Sequence, residues 1–282
     1  MKHTRKLIVA LIMLCFAVAP FFARNEAVPA SDTEDYGIKL PVLMYHQVLD
    51  EKQKLGKYVV SPREFEEDLR YISELGYETV TVSELVDFCN GKRKLPRKPI
   101  MLTFDDGYQT DYLNVFPLLK KYNMKAVFSV VGCFAERYST PGIDKHINYA
   151  HLSWNEIREM QASGLCEFQN HSYNMHSLEN RHGCLPINGE STEHYRALMH
   201  EDIELSQKLF EEKTGQRPIC FTYPYGGRNE TLLEIIKEEG FLATLGTYEQ
   251  INVLTGELSE LYDIRRYNRA HGRDITKILE NG

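Results

Sequence analysis

The chain has 282 residues, of which 43% are hydrophobic and 26% charged, and its formal net charge is -7. This composition is typical of a globular protein that buries one sizeable core, and it excludes the disordered and fibrous classes. No basic stripe accompanies the acidic balance, so the sequence predicts no nucleic-acid partner.

The first predicted element is an apolar run near the N-terminus. The basic segment MKHTRK precedes the 16 residues from Leu7 to Phe22, LIVALIMLCFAVAPFF. This pattern predicts that residues 1–30 form either an export signal or an uncleaved membrane anchor. We therefore expect a secreted or extracytoplasmic protein that meets a membrane only through this segment. One catalytic domain is expected over residues 31–282.

The first well-marked helix is SPREFEEDLRYISELG, residues 61–76. Ser61 is the predicted N-cap, Pro62 opens the first turn and Glu64 completes a capping box. Gly76 ends the helix. The apolar side chains recur at helical spacing, so we expect this helix to cover a sheet.

Strand patterns alternate with helices along the rest of the chain. The predicted strands are PVLMYH (41–46), ETVTV (78–82), IMLTF (100–104), KAVFSVV (125–131), LCEFQ (165–169), ICFTY (219–223), FLATL (241–245) and a last short strand near Tyr262 to Tyr267. About seven to eight strands alternating with helices, such as SWNEIREMQASG, predict a distorted (β/α) barrel with a mainly parallel sheet. The polar stretch 179–193 lacks periodicity and is predicted to be a long surface loop.

Two adjacent carboxylates, Asp105 and Asp106, follow the apolar run PIMLTF. Asp-Gly is also a common turn dipeptide, so this stretch alone is compatible with a simple turn. In a barrel, however, the chemistry lies where strands end and loops begin. An ionised carboxylate beside a core needs a partner, and the pair therefore indicates a cation or a catalytic role.

Two histidines, His171 and His176, follow the apolar run LCEF and lie five residues apart. Residues five apart lie on opposite faces of a strand and do not share a face of a helix. Only a loop can therefore bring the two histidines together. Each alone is compatible with a surface or hydrogen-bonded histidine. With a carboxylate from another strand end, the pair would complete the two-His, one-carboxylate set of an open metal site.

Three motifs in this order, TFDDGY (103–108), HSYNMHS (171–177) and YPYG (223–226), resemble the polysaccharide deacetylases, carbohydrate esterases with a NodB-type homology domain. The segments PVLMYHQV and SPREFEEDLRYISELGYETVTVSEL resemble the branch that contains poly-N-acetylglucosamine deacetylases. The resemblance covers most of the chain after the N-terminal segment. It implies a metal-dependent hydrolase that removes N-acetyl groups from a polysaccharide.

The resemblance also implies roles for individual residues. Asp106 would bind the metal together with His171 and His176, and Asp105 would act as general base. The backbone N–H of Tyr225 would stabilise the oxyanion that forms on the acetamide.

Further residues are expected around the sugar. Tyr223 and Pro224 would shape its groove, according to the resemblance. Tyr108 and Tyr225 are candidates for stacking on sugar rings. The ligand types favour zinc, although cobalt, nickel and iron also accept two imidazoles and a carboxylate. The expected partner is an extracellular N-acetylglucosamine polymer, with peptidoglycan, chitin oligomers and poly-N-acetylglucosamine left open.

Two departures from the family pattern change the expected roles. The usual C-terminal Leu-x-x-His motif is absent, with His271 in NRAHG as the remaining candidate there, so the branch resemblance assigns the general acid to His46. We expect a nearby carboxylate to hold the imidazole of His46 protonated somewhat above its ordinary pKa. Thr222 stands where many members have an arginine, and Arg265 or Arg266 is expected to orient Asp105 instead.

Two alternative functions remain open at this stage. The chain could be a carbohydrate-binding protein descended from an esterase, since the pattern is partly eroded. It could also be a glycosidase, a common enzyme class on barrels, but that chemistry needs two carboxylates several ångströms apart. Adjacent Asp105 and Asp106 fit that requirement poorly.

Overall fold

The computed structural model of the protein describes residues 37–280. The predicted signal or anchor, residues 1–30, lies outside the described residues. The described strands are β1 (Ile38–Leu40), β2 (Val42–Tyr45), β3 (Gln47–Val48), β4 (Val59–Val60), β5 (Glu78–Thr79), β6 (Pro99–Phe104), β7 (Ala126–Val130), β8 (Cys166–Asn170), β9 (Cys220–Thr222), β10 (Ala243–Leu245), β11 (Asn252–Leu254) and β12 (Tyr267–Asn268).

The described helices surround these strands. They are α1 (Pro62–Glu74), α2 (Val82–Cys89), α3 (Phe116–Tyr122), α4 (Gly132–Ser139), α5 (Trp154–Ala162), α6 (Thr192–Thr214), α7 (Glu230–Glu238) and α8 (Thr276–Leu279). A short π-helical segment, Asp111–Val115, leads into α3. Across residues 37–280, none of the helices has the length and apolar character needed to cross a bilayer.

The main sheet is parallel and open at both ends. Seven strands follow the order β10-β9-β8-β7-β6-β2-β12, and β5 also pairs with β6. Helices cover the sheet to give a half-barrel, which confirms the predicted distorted (β/α) barrel of about seven to eight parallel strands. The carboxyl ends of the strands therefore meet at one face of the molecule.

The predicted helix start at Ser61 is confirmed. The Ser61 side chain accepts the Glu64 N–H, and the Glu64 carboxylate accepts the Ser61 N–H at 3.0 Å. Phe65, Leu69 and Ile72 of α1 are fully buried in the core. The local cap thus begins the helix where its apolar stripe can cover the sheet.

Several predicted boundaries are wrong. The strand predicted over 78–82 ends at Thr79, because Thr81 forms a capping box with Glu84 and begins α2. The last sheet strand covers 267–268 rather than 262–267. An antiparallel pair, β1 with β11, was not predicted. The stretch predicted as the loop 179–193 ends in α6, which begins at Thr192.

A row of aromatic rings crosses four neighbouring strands directly below the carboxyl-terminal face. The ring of Phe104 stacks on Tyr45 and on Phe128, with centroids 5.0 Å apart in both pairs, and Phe128 stacks on Phe168 at 5.4 Å. These residues are direct partners in the strand register. The row is buried, so it packs the four strands against one another close to the residues that follow β2 and β6.

The alternation of side chains along β6 sets the direction of the next residues. Phe104 packs into the core cluster that includes α1, whereas Thr103 points to the opposite face and donates to the Leu43 carbonyl at 2.9 Å. Asp105 follows Phe104 and shares the face of Thr103, since side chains alternate along a strand. The strand thus delivers a carboxylate into the interior of the half-barrel.

Candidate metal and catalytic site

Asp105 forms a buried ion pair with Arg266. Arg266 Nη1 donates to Oδ1 of Asp105 at 2.7 Å and Nη2 donates to Oδ2 at 2.8 Å. The guanidinium is itself fixed, because its Nε donates to the Gly246 carbonyl at 2.7 Å and Nη1 also donates to Thr103 Oγ1 at 3.1 Å. Burial alone would raise the pKa of Asp105, but the charge of Arg266 outweighs burial and holds that pKa below its ordinary value.

Asp106 turns away from the strand and faces two histidines. Its backbone is left-handed, with a φ of 73°, and the next residue, Gly107, is also left-handed with a φ of 67°. Asp106 Oδ1 lies 3.0 Å from His176 Nε2 and 3.4 Å from His171 Nε2, yet it has no well-formed hydrogen bond within residues 37–280. The three side chains offer ligand atoms that all lie within 4.8 Å of one another.

The electrostatics of Asp106 match this placement. Burial would raise the pKa of its carboxyl group, but the facing imidazoles outweigh burial and hold the pKa well below its ordinary value. The carboxylate is therefore ionised at neutral pH, as a metal ligand must be.

The ring of His171 is oriented by the neighbouring strand. Its Nδ1 lies 2.8 Å from the Thr222 carbonyl, which can only accept a proton, so Nδ1 carries the hydrogen. Nε2 is then left with a free lone pair towards Asp106. Thr222, the residue that departs from the family pattern, thus orients the His171 ring through its backbone carbonyl.

The loop between the two histidines is held by α6. The carboxylate of Asp202 accepts the Tyr173 N–H at 2.8 Å and the Asn174 N–H at 2.7 Å. Ser172 has a left-handed backbone with φ of 72°, and its N–H donates to the Asn170 side chain at 2.7 Å. These contacts bend the chain so that His176 returns to His171, which the spacing of five residues did not explain.

Tyr225 lies beside His176 at the tip of a tight turn. The two rings stack with centroids 4.5 Å apart, and the Tyr225 hydroxyl lies 3.3 Å from His176 Nδ1. The turn Pro224–Gly226 is a short 3-10 segment in which Tyr225 has a left-handed φ of 56°. Tyr225 is 40% exposed, so its ring is available to a ligand.

His46 lies at the end of β2 on the same face. Its ring is 4.7 Å from that of Tyr58, and its Nδ1 is buried without a hydrogen-bond partner among the described residues. Burial lowers the pKa of His46, and this outweighs the raising effect of Asp106 and Asp105. The expectation that a carboxylate holds this pKa above its ordinary value is wrong.

These side chains surround one cleft with a volume of about 600 Å³. Among the sequence-predicted residues, its lining includes His46, Asp105, Asp106, Tyr108, His171, His176, Tyr223 and Tyr225. Pro224 is buried and lies outside the lining. Tyr223 is also almost fully buried, so it forms part of the cleft wall and its ring face is not available for stacking on a ligand.

Two predicted candidates lie away from the cleft. Arg265 donates to the Gln250 side chain at 2.6 Å and does not contact Asp105. His271 binds Glu64 through Nδ1 at 2.8 Å and is not part of the cleft lining. The structure therefore brings Arg266 and His46 into the site, and leaves Arg265 and His271 outside it.

Sequence reasoning missed part of the wall. The additional lining residues are Met44, Lys57, Tyr58, His182, Thr247, Glu249 and Asn268. His182 could have been found, because it is the one histidine within the predicted surface loop 179–193. The others belong to no distinctive motif, so only the fold brings them together.

Fold and site together define an α/β half-barrel protein with an Asp–His–His cluster and an ion-paired aspartate at the carboxyl ends of its strands. Comparison with known proteins agrees with this class. The family model for polysaccharide deacetylase matches residues 92–244. The chain belongs to the polysaccharide deacetylase family.

Individual relatives are similar over most of this chain. The poly-beta-1,6-N-acetyl-D-glucosamine N-deacetylase of Escherichia coli K12 is 26% identical over 264 residues, 83% of this chain, but this chain spans only 38% of that relative's length. The structure of a de-N-acetylase from Aggregatibacter actinomycetemcomitans matches with a TM-score of 0.74 and 25% identity, covering 86% of this chain and 99% of that one. The structure of IcaB from Ammonifex degensii matches with a TM-score of 0.68 and 30% identity. This match covers 82% of this chain and 92% of IcaB.

Proposed function

We propose that this chain is an exported, metal-dependent polysaccharide N-deacetylase that hydrolyses the acetamide groups of an N-acetylglucosamine polymer. One observation carries the proposal: Asp106, His171 and His176 converge within 4.8 Å beside the ion-paired carboxylate of Asp105. The E. coli relative and a Staphylococcus aureus relative that is 26% identical are both poly-beta-1,6-N-acetyl-D-glucosamine N-deacetylases, which supports this polymer as the substrate.

The residues of the cluster fit a divalent metal. Asp106 Oδ1 is buried and lacks a well-formed hydrogen bond, although two imidazole nitrogens face it at 3.0 and 3.4 Å. A cation between these three electron-pair donors would resolve that arrangement. Zinc is the metal we propose by ligand type. When bound, such a metal polarises a carbonyl group and lowers the pKa of water.

Asp105 is the proposed general base. Its ion pair with Arg266 keeps the carboxylate ionised at neutral pH and fixes its orientation, so it can accept the proton of the attacking water. The division between the two aspartates follows from the backbone: Asp105 continues the strand, whereas Asp106 turns into the left-handed region. Two neighbouring carboxylates thereby serve different tasks.

The remaining steps involve Tyr225 and His46. The Tyr225 N–H is the proposed donor to the oxyanion formed when water adds to the acetamide carbon. His46 is the proposed acid that gives its proton to the departing nitrogen, so that the carbon–nitrogen bond breaks to leave acetate and a free amine. The lowered pKa of His46 makes its protonated form a stronger acid.

A glycosidase is disfavoured by the same geometry. Both oxygens of Asp105 are bound by Arg266 and Asp106 faces the histidines, so the two carboxylates do not flank a glycosidic bond as that chemistry requires. A carbohydrate-binding protein would not need the intact cluster. We also propose that residues 31–282 form the catalytic domain and that residues 1–30 direct export of the protein.

The test is acetate release from poly-β-1,6-N-acetylglucosamine, chitin oligomers and peptidoglycan, with metal-depleted and zinc-reconstituted protein. We expect acetate only after zinc reconstitution. Mass spectrometry should show that the length of the polymer is unchanged. Asp106→Asn is the control for contaminating esterase. Chain cleavage would instead identify a glycosidase, and binding without either product would identify a carbohydrate-binding protein.

A further inference from the structure

The turn that carries Tyr225 is packed against the long loop that follows His176. At Gly183 of this loop the backbone has a left-handed φ of 57°, and a Cβ added there would lie 2.6 Å from the Pro224 carbonyl oxygen. A Cβ never tolerates this distance to a backbone atom without displacement. The absence of a side chain at Gly183 therefore allows the two backbones to touch.

The contact is also tight from the side of the turn. A Cβ at Gly227 would lie 3.0 Å from Leu185 Cγ and 3.4 Å from the His182 carbonyl oxygen. The Gly227 N–H donates to the Pro224 carbonyl at 3.1 Å, the same oxygen that Gly183 approaches. Two glycines, one in each segment, thus let residues 182–185 lie directly on residues 224–227.

The loop is rigid enough to act as a support. The Arg181 guanidinium binds both carboxylate oxygens of Glu190 at 2.9 and 2.6 Å and also donates to the Leu185 carbonyl at 2.7 Å. The Glu190 side chain is only 2% exposed. A bidentate pair with low exposure holds its geometry better than an ordinary surface ion pair.

A second anchor connects the loop to the helix after the turn. Cys184 is fully buried, and its carbonyl accepts the Tyr195 hydroxyl at 2.8 Å. The same hydroxyl accepts a hydrogen bond from the Asn229 side chain at 3.2 Å, and Asn229 is the N-cap of α7. The loop and the turn therefore share one buried attachment as well as their direct contact.

The turn needs such support. Tyr225 is held in the left-handed region at φ of 56°, which disfavours residues with a side chain. A strained conformation of this kind persists only when its surroundings fix it. Gly183 on one side and Thr247, which packs against Gly226, on the other enclose the turn.

We propose that Gly183 is a positioning residue that holds the Tyr225 N–H at the oxyanion position. This rests on the proposed function, in which Tyr225 donates to the oxyanion. A side chain at position 183 would push Pro224 and move Tyr225, while the cluster of Asp106, His171 and His176 stays intact. Errors of about 1 Å in such a donor reduce turnover by about 10²-fold.

The test compares Gly183→Ala with Gly189→Ala. Gly189 lies in the same loop and also has a left-handed φ, 81°, but an added Cβ there meets no atom of the described chain within 4 Å. Both variants place a side chain on a left-handed backbone, and only the first presses on the turn. With a β-1,6-linked N-acetylglucosamine pentamer, Gly183→Ala should lose about 10- to 100-fold in kcat, with KM and zinc content unchanged.

A second readout does not depend on activity. In protein labelled with 15N-tyrosine, the Tyr225 amide resonance is assigned by its disappearance in Tyr225→Phe. Gly183→Ala should shift this resonance, whereas Gly189→Ala should not. If the Gly183→Ala resonance and kcat both match wild type, the positioning role is wrong. If Gly183→Ala shifts the resonance but the wild-type protein releases no acetate, the contact is confirmed and the proposed function is rejected.

A further pair of variants covers the case in which Gly183→Ala does not fold. Gly227 has φ of -69°, so alanine is allowed there by the backbone and only presses on the Leu185 side chain. Gly227→Ala should reproduce the resonance shift and a smaller loss of kcat. Leu185→Ala in the same chain should restore both, and failure to restore them would also overturn the proposal.

Discussion

Arg266 and Asp105, 161 residues apart, form a fully buried pair in which two guanidinium nitrogens bind two carboxylate oxygens at 2.7 and 2.8 Å. The pair connects the start of β12 to the end of β6, two strands on either side of β2. The ion pair therefore orients the proposed base and also links the edge strand β12 to β6 across β2.

Replacing Arg266 should damage both roles. Arg266→Lys keeps the charge but not the bidentate geometry, so burial should raise the pKa of Asp105 and move the acidic limb of the kcat profile to higher pH. Stability should fall by about 1–3 kcal/mol in denaturant unfolding, because hydrogen bonds to a buried charge are lost. Arg265→Lys is the control and should leave both unchanged. An unaltered pH profile in Arg266→Lys would remove the positioning role.

The two histidines should be required for metal binding. His171→Ala or His176→Ala should lose bound zinc and deacetylation together, because each removes one of three ligands. His182→Ala changes another histidine of the cleft wall and should keep its zinc. Elemental analysis after gel filtration measures this, and full occupancy in both ligand variants would contradict the assignment.

The neighbouring aspartates should respond differently. Asp105→Asn removes the proton acceptor and should reduce kcat by about 10²–10⁴-fold with zinc retained. Asp106→Asn should lose zinc as well, since an amide is a weaker ligand than a carboxylate. Zinc loss in Asp105→Asn alone would show that the two roles are reversed.

His46 and His271 separate the two assignments of the general acid. His46→Ala should retain zinc and lose about 10²–10⁴-fold in kcat. His271→Ala should keep near wild-type turnover, because His271 binds Glu64 outside the cleft. The opposite result, with an impaired His271→Ala and an active His46→Ala, would reject the N-terminal acid.

Asp202 should give the fold a measurable pH dependence. Burial raises the pKa of its carboxyl group from 3.8 to about 6, although the Tyr173 and Asn174 N–H groups partly oppose this. Between these pH values the folded protein binds more protons than the unfolded chain, so this group's contribution to stability increases as pH falls from about 6 to about 4. Two pKa units correspond to about 3 kcal/mol.

Asp202→Asn isolates that contribution. The amide oxygen can still accept the two N–H groups, but the side chain no longer titrates. The free energy of unfolding of wild type relative to Asp202→Asn should therefore rise on going from pH 7 to pH 4. Parallel curves for the two proteins across this range would show that Asp202 has an ordinary pKa.

The fold and the convergence of Asp106, His171 and His176 were predictable because they depend on local patterns. Ser61 and Glu64 specify a helix start by themselves, and strand–helix alternation specifies a parallel sheet. Once that sheet is predicted, Asp106 and His171 must share its carboxyl-terminal face. Which aspartate is the base and which is the ligand stays a prediction that rests on family resemblance.

The partner of Asp105 could be narrowed only to Arg265 or Arg266. Adjacent residues near a strand point to opposite faces, so choosing between them requires the register of β12 against β2. No local pattern specifies that register. The pKa of His46 was mispredicted for a related reason, since the depth of burial depends on Tyr58 and other residues distant in sequence.

The loop predicted over 179–193 shows another limit. Its sequence is polar and aperiodic, yet Cys184 is fully buried and the Glu190 side chain nearly so. Isolated buried residues of this kind produce no periodic pattern in the sequence, so their burial could not be predicted from it. The structural importance of Gly183 is equally invisible in the sequence, because it depends on where the Pro224 carbonyl lies.

Asp106, Ser172 and Tyr225 account for three of the five non-glycine residues with a left-handed backbone in the described chain. Each such conformation is disfavoured by about 1–2 kcal/mol, and glycine would adopt it more easily. Selection for folding alone would therefore favour glycine at these positions. The protein instead has a disfavoured backbone at one proposed metal ligand, in the loop between the other two, and at the proposed oxyanion donor. These three positions would then exchange some stability of the fold for activity.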